Sequence, residues 1–186
     1  MVIHQVKVSL VGDGAVGKTA ITQSLTTGEF TASYKMTIGL NIAVHKREKN
    51  GTQVHFALWD LGGQPRFNVV RAQFYNGSKI IIFVYDITNK GSFENLPNWL
   101  KEVNKHCRTP YTGFLVGNKI DLSEFRIIKF ETAKEYAESL ELEYIETSAR
   151  EGIGISELIE LLTNNIIENS SQESPKRIGS RILANT

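Results

Sequence analysis

The 186-residue sequence has little of three features that would each indicate a class of protein. It contains one cysteine, Cys107, so it can form no internal disulfide, which is compatible with a reducing compartment. No segment reaches the roughly 18 apolar residues of a membrane-spanning helix, and the N-terminus lacks the basic start and apolar run of a signal peptide. The 21 basic and 20 acidic residues leave a formal charge of +1, so no basic excess indicates nucleic-acid binding. We therefore expect a cytoplasmic protein without a nucleic-acid partner.

The length and composition predict one folded domain followed by a polar tail. A chain of 186 residues with 41% hydrophobic content can bury one substantial core but not two. We place the domain at residues 1–167 and expect residues 168–186, which are mostly polar and charged, to be a mobile tail. The start Met1-Val2 excludes N-myristoylation and the last residues lack a prenylatable cysteine, so we expect no lipid anchor. Nothing in the sequence supports peripheral membrane association.

One stretch near the start of the chain carries a specific chemical signal. It matches the phosphate-binding pattern G-x-x-x-x-G-K-[ST] and consists of Gly12, Asp13, Gly14, Ala15, Val16, Gly17, Lys18 and Thr19. Its glycines can take positive φ and bring backbone N–H groups close to an anion. The Lys18 ammonium suits β- and γ-phosphate oxygens, and the Thr19 hydroxyl is an oxygen ligand of the kind that Mg²⁺ prefers. The stretch therefore predicts a polyphosphate site with Mg²⁺.

The rest of the chain alternates strand patterns with helical patterns. The alternation of apolar residues at 2–11 predicts a strand before the phosphate loop, and the residues after Thr19 have helical spacing. Alternation at 38–44 and 54–58 predicts an antiparallel hairpin, while the continuous apolar run at 80–85 predicts a strand covered on both faces. We therefore expect a doubly wound α/β fold with a mostly parallel six-stranded sheet, one antiparallel strand and helices on both faces.

Three other segments carry local signals. Ser92 is expected to cap a helix, with Pro97 either near the first turn of that helix or at a local distortion in it. Residues 28–39 show neither helical nor strand period, and residues 61–76 begin with two glycines and a proline. We expect both of these stretches to contain mobile loops.

Polar motifs follow the ends of four predicted strands. They are the phosphate loop, Asp60, the segment at 118–121 and the segment at 147–150. Because ligands of open α/β sheets bind beyond the carboxyl ends of the strands, we expect the four motifs to converge on one edge.

Taken as a set, these motifs resemble the Ras-like small GTPases, and within them most closely the Rab branch, over about residues 5–167. The motifs that carry the resemblance occur in the family's order: G-x-x-x-x-G-K-T, a lone Thr37, Asp60-x-x-Gly63-Gln64, Asn118-Lys119-x-Asp121 and Thr147-Ser148-Ala149. The resemblance implies the fold of P-loop nucleotide hydrolases and a molecular switch that hydrolyses GTP to GDP and phosphate with Mg²⁺.

The resemblance also implies which residues recognise the base. Asp121 would accept hydrogen bonds from guanine N1–H and the 2-amino group, and adenine lacks both donors. Asn118 and Lys119 would brace the base and the phosphate loop, while the backbone of Ser148 and Ala149 would meet guanine O6. The remaining nucleotide contacts that it implies are Ala20, Phe30, Tyr34 and Arg150.

At the phosphates, the resemblance implies a metal site formed by Thr19, Thr37 and Asp60, with Asp60 acting through water. Thr37 would sense the third phosphate, because its hydroxyl can close on Mg²⁺ and the γ-phosphate together. Lys18 and the Gly63 N–H would bind phosphate oxygens. Gln64 would orient the attacking water, as the matching glutamine does in Ras.

Partners are implied by the same resemblance. No arginine occupies an assignable finger position in the phosphate motifs, so intrinsic hydrolysis should be slow and raised by a GTPase-activating protein, by up to about 10⁵. A guanine-nucleotide exchange factor and effectors are expected to bind a monomer through residues 28–42 and 59–76. Ile42, Trp59 and Phe74 match an aromatic partner-binding patch of Rab proteins, although Ile42 replaces the usual phenylalanine. Pro65 replaces the usual acidic residue, which puts the response to exchange factors in doubt.

Two alternatives remain open at this point. A P-loop kinase would need an acceptor pocket and a lid segment, which the sequence does not show, and residues 118–121 favour guanine. A non-hydrolysing guanine-nucleotide scaffold is disfavoured because Gln64, Thr37 and Lys18 are all present.

Overall fold

A computed structural model of the chain describes residues 2–28, 37, 39–64 and 68–170. Helices and strands follow each other along the chain as β1 (Val2–Val11), α1 (Lys18–Thr27), β2 (Leu40–Lys49), β3 (Thr52–Leu61), α2 (Asn68–Ala72), β4 (Ile80–Asp86), α3 (Lys90–Glu94), α4 (Leu96–His106), β5 (Thr112–Asn118), a 3₁₀ helix (Ile120–Phe125), α5 (Phe130–Ser139), β6 (Glu143–Thr147) and α6 (Ile155–Ser170). Phe30, Tyr34 and Pro65 lie outside the described residues, as does the chain after Ser170.

The six strands form one sheet in the order β2-β3-β1-β4-β5-β6. Strand β2 pairs with β3 in antiparallel fashion, and the other neighbouring pairs are parallel. The hairpin turn uses Asn50 and Gly51, both at positive φ (51° and 75°), as a two-residue turn between twisted strands requires. The predicted mostly parallel sheet with one antiparallel strand is confirmed.

Helices cover both faces of the sheet, and the apolar side chains of β4 from Ile80 to Tyr85 point alternately to the two sides. Ile80, Ile82 and Val84 pack with α1 and α6, whereas Ile81, Phe83 and Tyr85 pack with α4 and α5. All seven residues of β4 are buried. Burial on both faces explains the continuous apolar run in this strand.

The prediction that Ser92 caps a helix is wrong. Asn89 caps α3 instead, and its side chain accepts a hydrogen bond from the Ser92 N–H at 3.2 Å. Ser92 is buried inside the helix and its hydroxyl donates back to the Asn89 carbonyl at 2.8 Å. A second helix, α4, then begins after Asn95 with Pro97 in its first turn, where proline costs no hydrogen bond.

Within the described ranges, none of the helices combines the length and the apolar character needed to span a bilayer. Helix α6 continues to Ser170, past the expected domain boundary at residue 167.

Candidate functional site

The phosphate loop joins the end of β1 to the start of α1 and packs tightly against neighbouring strand ends. Gly12 and Gly17 take φ values of 142° and 102°. A Cβ on Gly12 would overlap the Val84 carbonyl, and one on Gly17 would overlap the Asn118 amide. Gly14 does not take positive φ, and Ala15 takes the left-handed conformation instead, at 67°. Two of the three glycines are therefore required by close approach of the backbone to the sheet edge.

Lys18 lies inside the loop rather than in solvent, with 5% of its surface exposed. Its Nζ donates to the carbonyl oxygens of Gly12 and Asp13, at 2.8 and 2.7 Å. Burial lowers the pKa of Lys18 to about 8, although the carboxylates of Asp60 and Asp13 oppose the shift. A buried ammonium of this kind gains from a nearby anion, which would favour its charged form.

Three oxygen-bearing side chains meet beside Lys18. Thr19 Oγ1 donates to Asp60 Oδ2 at 2.6 Å, and Thr37 Oγ1 lies 3.1 Å from the same oxygen and 2.8 Å from Thr19 Oγ1. Asp60 is fully buried, and its Oδ1 has no hydrogen-bond partner in the part of the chain that the structure describes. Burial raises the pKa of Asp60, against the Thr19 hydrogen bond and the Lys18 charge. Clustered hard oxygens with an unpaired carboxylate oxygen fit a cation such as Mg²⁺.

Asn118, at the end of β5, connects three of the predicted motifs. Its Nδ2 donates to the Val16 carbonyl of the phosphate loop at 3.0 Å. Its Oδ1 accepts from Thr147 Oγ1 at 3.0 Å and from the Ala149 N–H at 3.2 Å. The side chain is 2% exposed. Asn118 therefore fixes the phosphate loop relative to the segment that follows β6.

The neighbouring residues of this segment also have partners. Asp121 Oδ1 accepts from the Ser148 hydroxyl at 2.7 Å, and the Ser148 N–H donates to the Ile153 carbonyl at 2.9 Å. Lys119 takes φ of 72° and its Nζ lies 2.6 Å from Asp86 Oδ2. The contact of Asn118 with the phosphate loop was expected, whereas the pairing of Lys119 with Asp86 was not.

The segment after β3 packs directly on the phosphate loop. A Cβ on Gly63 would lie 2.6 Å from the Asp13 carbonyl carbon and oxygen, so only glycine fits there. Arg71, which is 4% exposed, donates from Nη1 to the carbonyls of Gly62 and Gln64, at 3.1 and 2.8 Å. Its Nε and Nη2 donate hydrogen bonds to the two carboxylate oxygens of Glu102, at 2.7 and 2.8 Å. Arg71 thus holds the main chain on both sides of Gly63.

Arg71 and Glu102 belong to none of the predicted motifs. One signal could have found Arg71: it lies four residues before the buried Tyr75, on the face of a helical pattern that should be apolar. A charged residue at such a position needs a buried partner. Nothing local in the sequence identifies Glu102 as that partner, because the two residues are 31 positions apart.

The described residues also include Ala20, Arg150 and the three residues of the expected partner-binding patch. Ala20 is half-buried in α1 and packs against the core, and Arg150 is exposed after β6. Ile42 pairs with Trp59 across the β2–β3 ladder, and the Trp59 and Phe74 rings lie 5.8 Å apart. The three residues expected to contact partners are thus neighbours on the surface, with Ile42 49% exposed.

Comparison with known proteins agrees with this geometry. The model of the Ras family matches residues 7–168. Similar proteins include the GTP-binding protein ypt1 of Schizosaccharomyces pombe, 32% identical, with 93% of this chain and 89% of that protein covered. Others are the Ras-related proteins RABD2a of Arabidopsis thaliana, 33% identical (90% and 82% covered), and Rab-30 of Homo sapiens, 35% identical (90% and 83% covered). The chain therefore belongs to the Ras family, as a small GTPase most similar to the Rab branch.

Proposed function

We propose that this GTPase is a molecular switch that binds GTP with Mg²⁺ and hydrolyses it slowly to GDP and phosphate. The conformation of residues 28–39 and 61–76 would change when the third phosphate is lost. The observation that carries the proposal is the buried Asp60 carboxylate, one oxygen of which has no partner among the described residues, next to the Lys18 ammonium. Such an arrangement is costly to fold unless a ligand completes it.

The residues present fit Mg²⁺. Adjacent ligands of octahedral Mg²⁺ lie about 2.9 Å apart when each bond is about 2.05 Å. The hydroxyl oxygens of Thr19 and Thr37 are 2.8 Å apart, close to this spacing. The two hydroxyls would hold the ion directly and Asp60 would hold it through water. When bound, Mg²⁺ supplies positive charge that neutralises the β- and γ-phosphate oxygens.

The phosphate loop would hold the triphosphate through its backbone N–H groups and Lys18. An ammonium has three N–H donors, and the described contacts of Lys18 use two of them on Gly12 and Asp13. The third is available for a phosphate oxygen. The Gly63 N–H would bind the γ-phosphate, since its backbone lies against Asp13. Thr37 and Gly63 would therefore make these contacts only while the third phosphate is present.

Asp121 would select guanine. A carboxylate can accept about four hydrogen bonds, so the single bond from Ser148 leaves acceptors for guanine N1–H and the 2-amino group. Adenine would leave these remaining acceptors of Asp121 unpaired, a mismatch worth about 10⁴ in discrimination. Further contacts to the nucleotide would come from Ala20, Phe30, Tyr34, Lys119, Ser148, Ala149 and Arg150.

Gln64 would orient the water that attacks the γ-phosphate, and the rate should be slow without a partner. Arg71 lies close to Gln64, but its guanidinium is already paired with Glu102 and two carbonyl groups, so it cannot serve as a built-in arginine finger. We therefore expect a GTPase-activating protein, and also an exchange factor and effectors. They would bind a cytoplasmic monomer through residues 28–42 and 59–76, including the Ile42, Trp59 and Phe74 patch. The catalytic domain would comprise residues 1–167 and the tail residues 168–186.

Two measurements test the proposal. Chromatography of nucleotide extracted from the purified protein should show GDP or GTP, and single-turnover hydrolysis of GTP should require Mg²⁺. Copurifying ATP or an empty site would contradict guanine recognition. A rate that is unchanged by chelation of divalent ions would contradict the Mg²⁺ site.

A further inference from the structure

The phosphate loop is tied to α4 by the side chain of Asp13. Its Oδ1 accepts hydrogen bonds from Asn95 Nδ2 at 2.6 Å and from Trp99 Nε1 at 2.7 Å. Asn95 lies at the junction of α3 and α4, and Trp99 lies one turn further along α4 with 5% of its surface exposed. Hydrogen bonds to a carboxylate belong to the stronger class. They hold the main chain of residue 13 at a fixed position relative to α4.

The same tryptophan supports Arg71. The guanidinium carbon of Arg71 lies 4.3 Å from the centroid of the Trp99 ring. Glu102, one turn beyond Trp99 on α4, orients the guanidinium and is itself held by the Tyr75 hydroxyl at 2.6 Å. Arg71 in turn donates hydrogen bonds to the carbonyls of Gly62 and Gln64, so it links α4 to this segment of the main chain.

The contacts form a closed ring. Starting from Asp13 they pass through Trp99 and Arg71 to the segment at 62–64, and Gly63 returns to the Asp13 backbone. A groove of about 540 Å³ opens among these groups, lined by Gln64, Asn95, Trp99 and Glu102 among others. Gln64 lines this groove, and the hydrogen bond from Arg71 to its carbonyl holds its main chain there.

We propose that Asn95, Trp99 and Arg71 are positioning residues for GTP hydrolysis, which set the main chain of Gln64 relative to the phosphate loop. The inference depends on the proposed catalytic role of Gln64. The three side chains act on the Asp13 carboxylate and on main-chain carbonyls, so their loss should slow the chemical step without weakening nucleotide binding. Displacement of a catalytic group by about 1 Å can cost about 10² in rate.

The test uses the full chain and single-turnover GTP hydrolysis. Asn95→Asp places a second carboxylate against Asp13 and should slow hydrolysis about tenfold. Trp99→Phe removes the indole N–H that donates to Asp13, keeps a smaller aromatic ring at this position, and should slow hydrolysis a few-fold. The affinity for a non-hydrolysable GTP analogue should stay within about twofold of the parent in both. Lys101→Gln is the matched control, because it makes the same charge change at an exposed position on α4 and should leave the rate unchanged.

A kinetic cycle with Gln64→Ala separates positioning from general structural damage. If Trp99 acts through Gln64, adding Trp99→Phe to Gln64→Ala should slow hydrolysis no further. Equal slowing in both backgrounds would overturn the inference, as would parent-like rates in both Asn95→Asp and Trp99→Phe. If Asn95→Asp does not fold, as judged by its melting curve, the Trp99→Phe cycle decides alone. A parent-like rate in Gln64→Ala would instead refute the catalytic role on which the inference depends.

Discussion

At the carboxyl edge of the sheet, the proposed function distinguishes two regions. The base side is formed by Asn118, Asp121 and residues 147–149, and the phosphate side by residues 12–19, Thr37, Asp60 and residues 63–64. On the base side, protein groups already pair with one another. Asn118 alone joins the phosphate loop, the Thr147 hydroxyl and the Ala149 N–H. Ser148 donates to Asp121, and its own N–H is bonded to Ile153.

The phosphate side carries charge that the described protein groups do not fully compensate. Burial pushes the pKa of Lys18 down and that of Asp60 up, so each ionised form is disfavoured there. One oxygen of Asp60 is unpaired within the described residues. The base side is therefore built as a fixed frame, and the phosphate side as a region whose stability depends on its ligand. A switch needs this difference, because only the second region can change state when a phosphate is lost.

The largest expected effect tests whether Asp121, on the base side, selects guanine. Asp121→Ala should abolish the preference for GTP over ATP, which we expect to be about 10⁴ in the parent. Ser148→Ala is the matched control, because it removes only the hydroxyl that donates to Asp121 and should keep the preference. Competition of GTP and ATP against a fluorescent GDP analogue measures both affinities. A preserved preference in Asp121→Ala would remove Asp121 from base recognition.

On the phosphate side, Gln64→Leu should slow hydrolysis and leave the frame intact. We expect a single-turnover rate reduced about tenfold or more, because leucine cannot orient water, with unchanged GTP affinity. Gln73→Leu makes the same chemical change at an exposed position after α2 and should keep the parental rate. An unchanged rate in Gln64→Leu would remove Gln64 from the mechanism.

The sequence predicts the motifs on both sides, but not the long-range contact that ties the phosphate loop to α4. The motifs at 12–19, 60–64, 118–121 and 147–149 could be found because each is short and local, and the α/β topology brings strand ends together. The Asp13–Trp99 bond joins residues 86 positions apart, and no local pattern encodes it.

Errors in local detail have the same origin. Asn89 and Ser92 are both good capping residues, and the burial of Ser92 against Asp86 decides between them. In the phosphate loop, pattern matching identifies three glycines that are free to take positive φ, but contacts with Val84 and Asn118 determine which of them must be glycine.

Because of Lys18, the stability and the nucleotide affinity of the phosphate side should depend on pH. Its pKa in the folded protein is about 8, below its ordinary 10.5, so the folded chain holds fewer protons than the unfolded chain between these values. The nucleotide-free protein should therefore gain stability from Lys18 as the pH rises from about 8 to 10.5. Bound phosphate favours the charged form, so GDP affinity should fall above pH 8, by at most about tenfold per unit.

Calorimetric titration of GDP in two buffers of different ionisation enthalpy measures the proton uptake that this model requires. The uptake should be present near pH 8.5 in the parent and absent in Lys18→Gln, which binds more weakly at every pH. Equal proton uptake in the parent and the variant would show that another group titrates.

The smallest expected effect concerns the loss of folding stability caused by the buried, unpaired oxygen of Asp60. The pKa of Asp60 is raised above its ordinary 3.8, so the folded protein holds this proton more tightly and loses stability as the pH rises through the raised value. Asp60→Asn removes the buried charge. In chelator and without nucleotide, it should stabilise the protein by about 1 kcal/mol, or about 2–4 °C in melting temperature.

Asp86→Asn is the contrasting control for this measurement, because Asp86 is also a buried carboxylate but is paired with Lys119 and Thr88. Its melting temperature should fall, since the substitution leaves partners unpaired. With Mg²⁺ and GDP, the parent should recover more stability than Asp60→Asn, because the variant has lost the carboxylate that would complete the proposed metal site. A lower melting temperature for Asp60→Asn in chelator would mean that the Thr19 and Thr37 hydrogen bonds outweigh the buried charge, and the phosphate side would then be as well compensated as the base side.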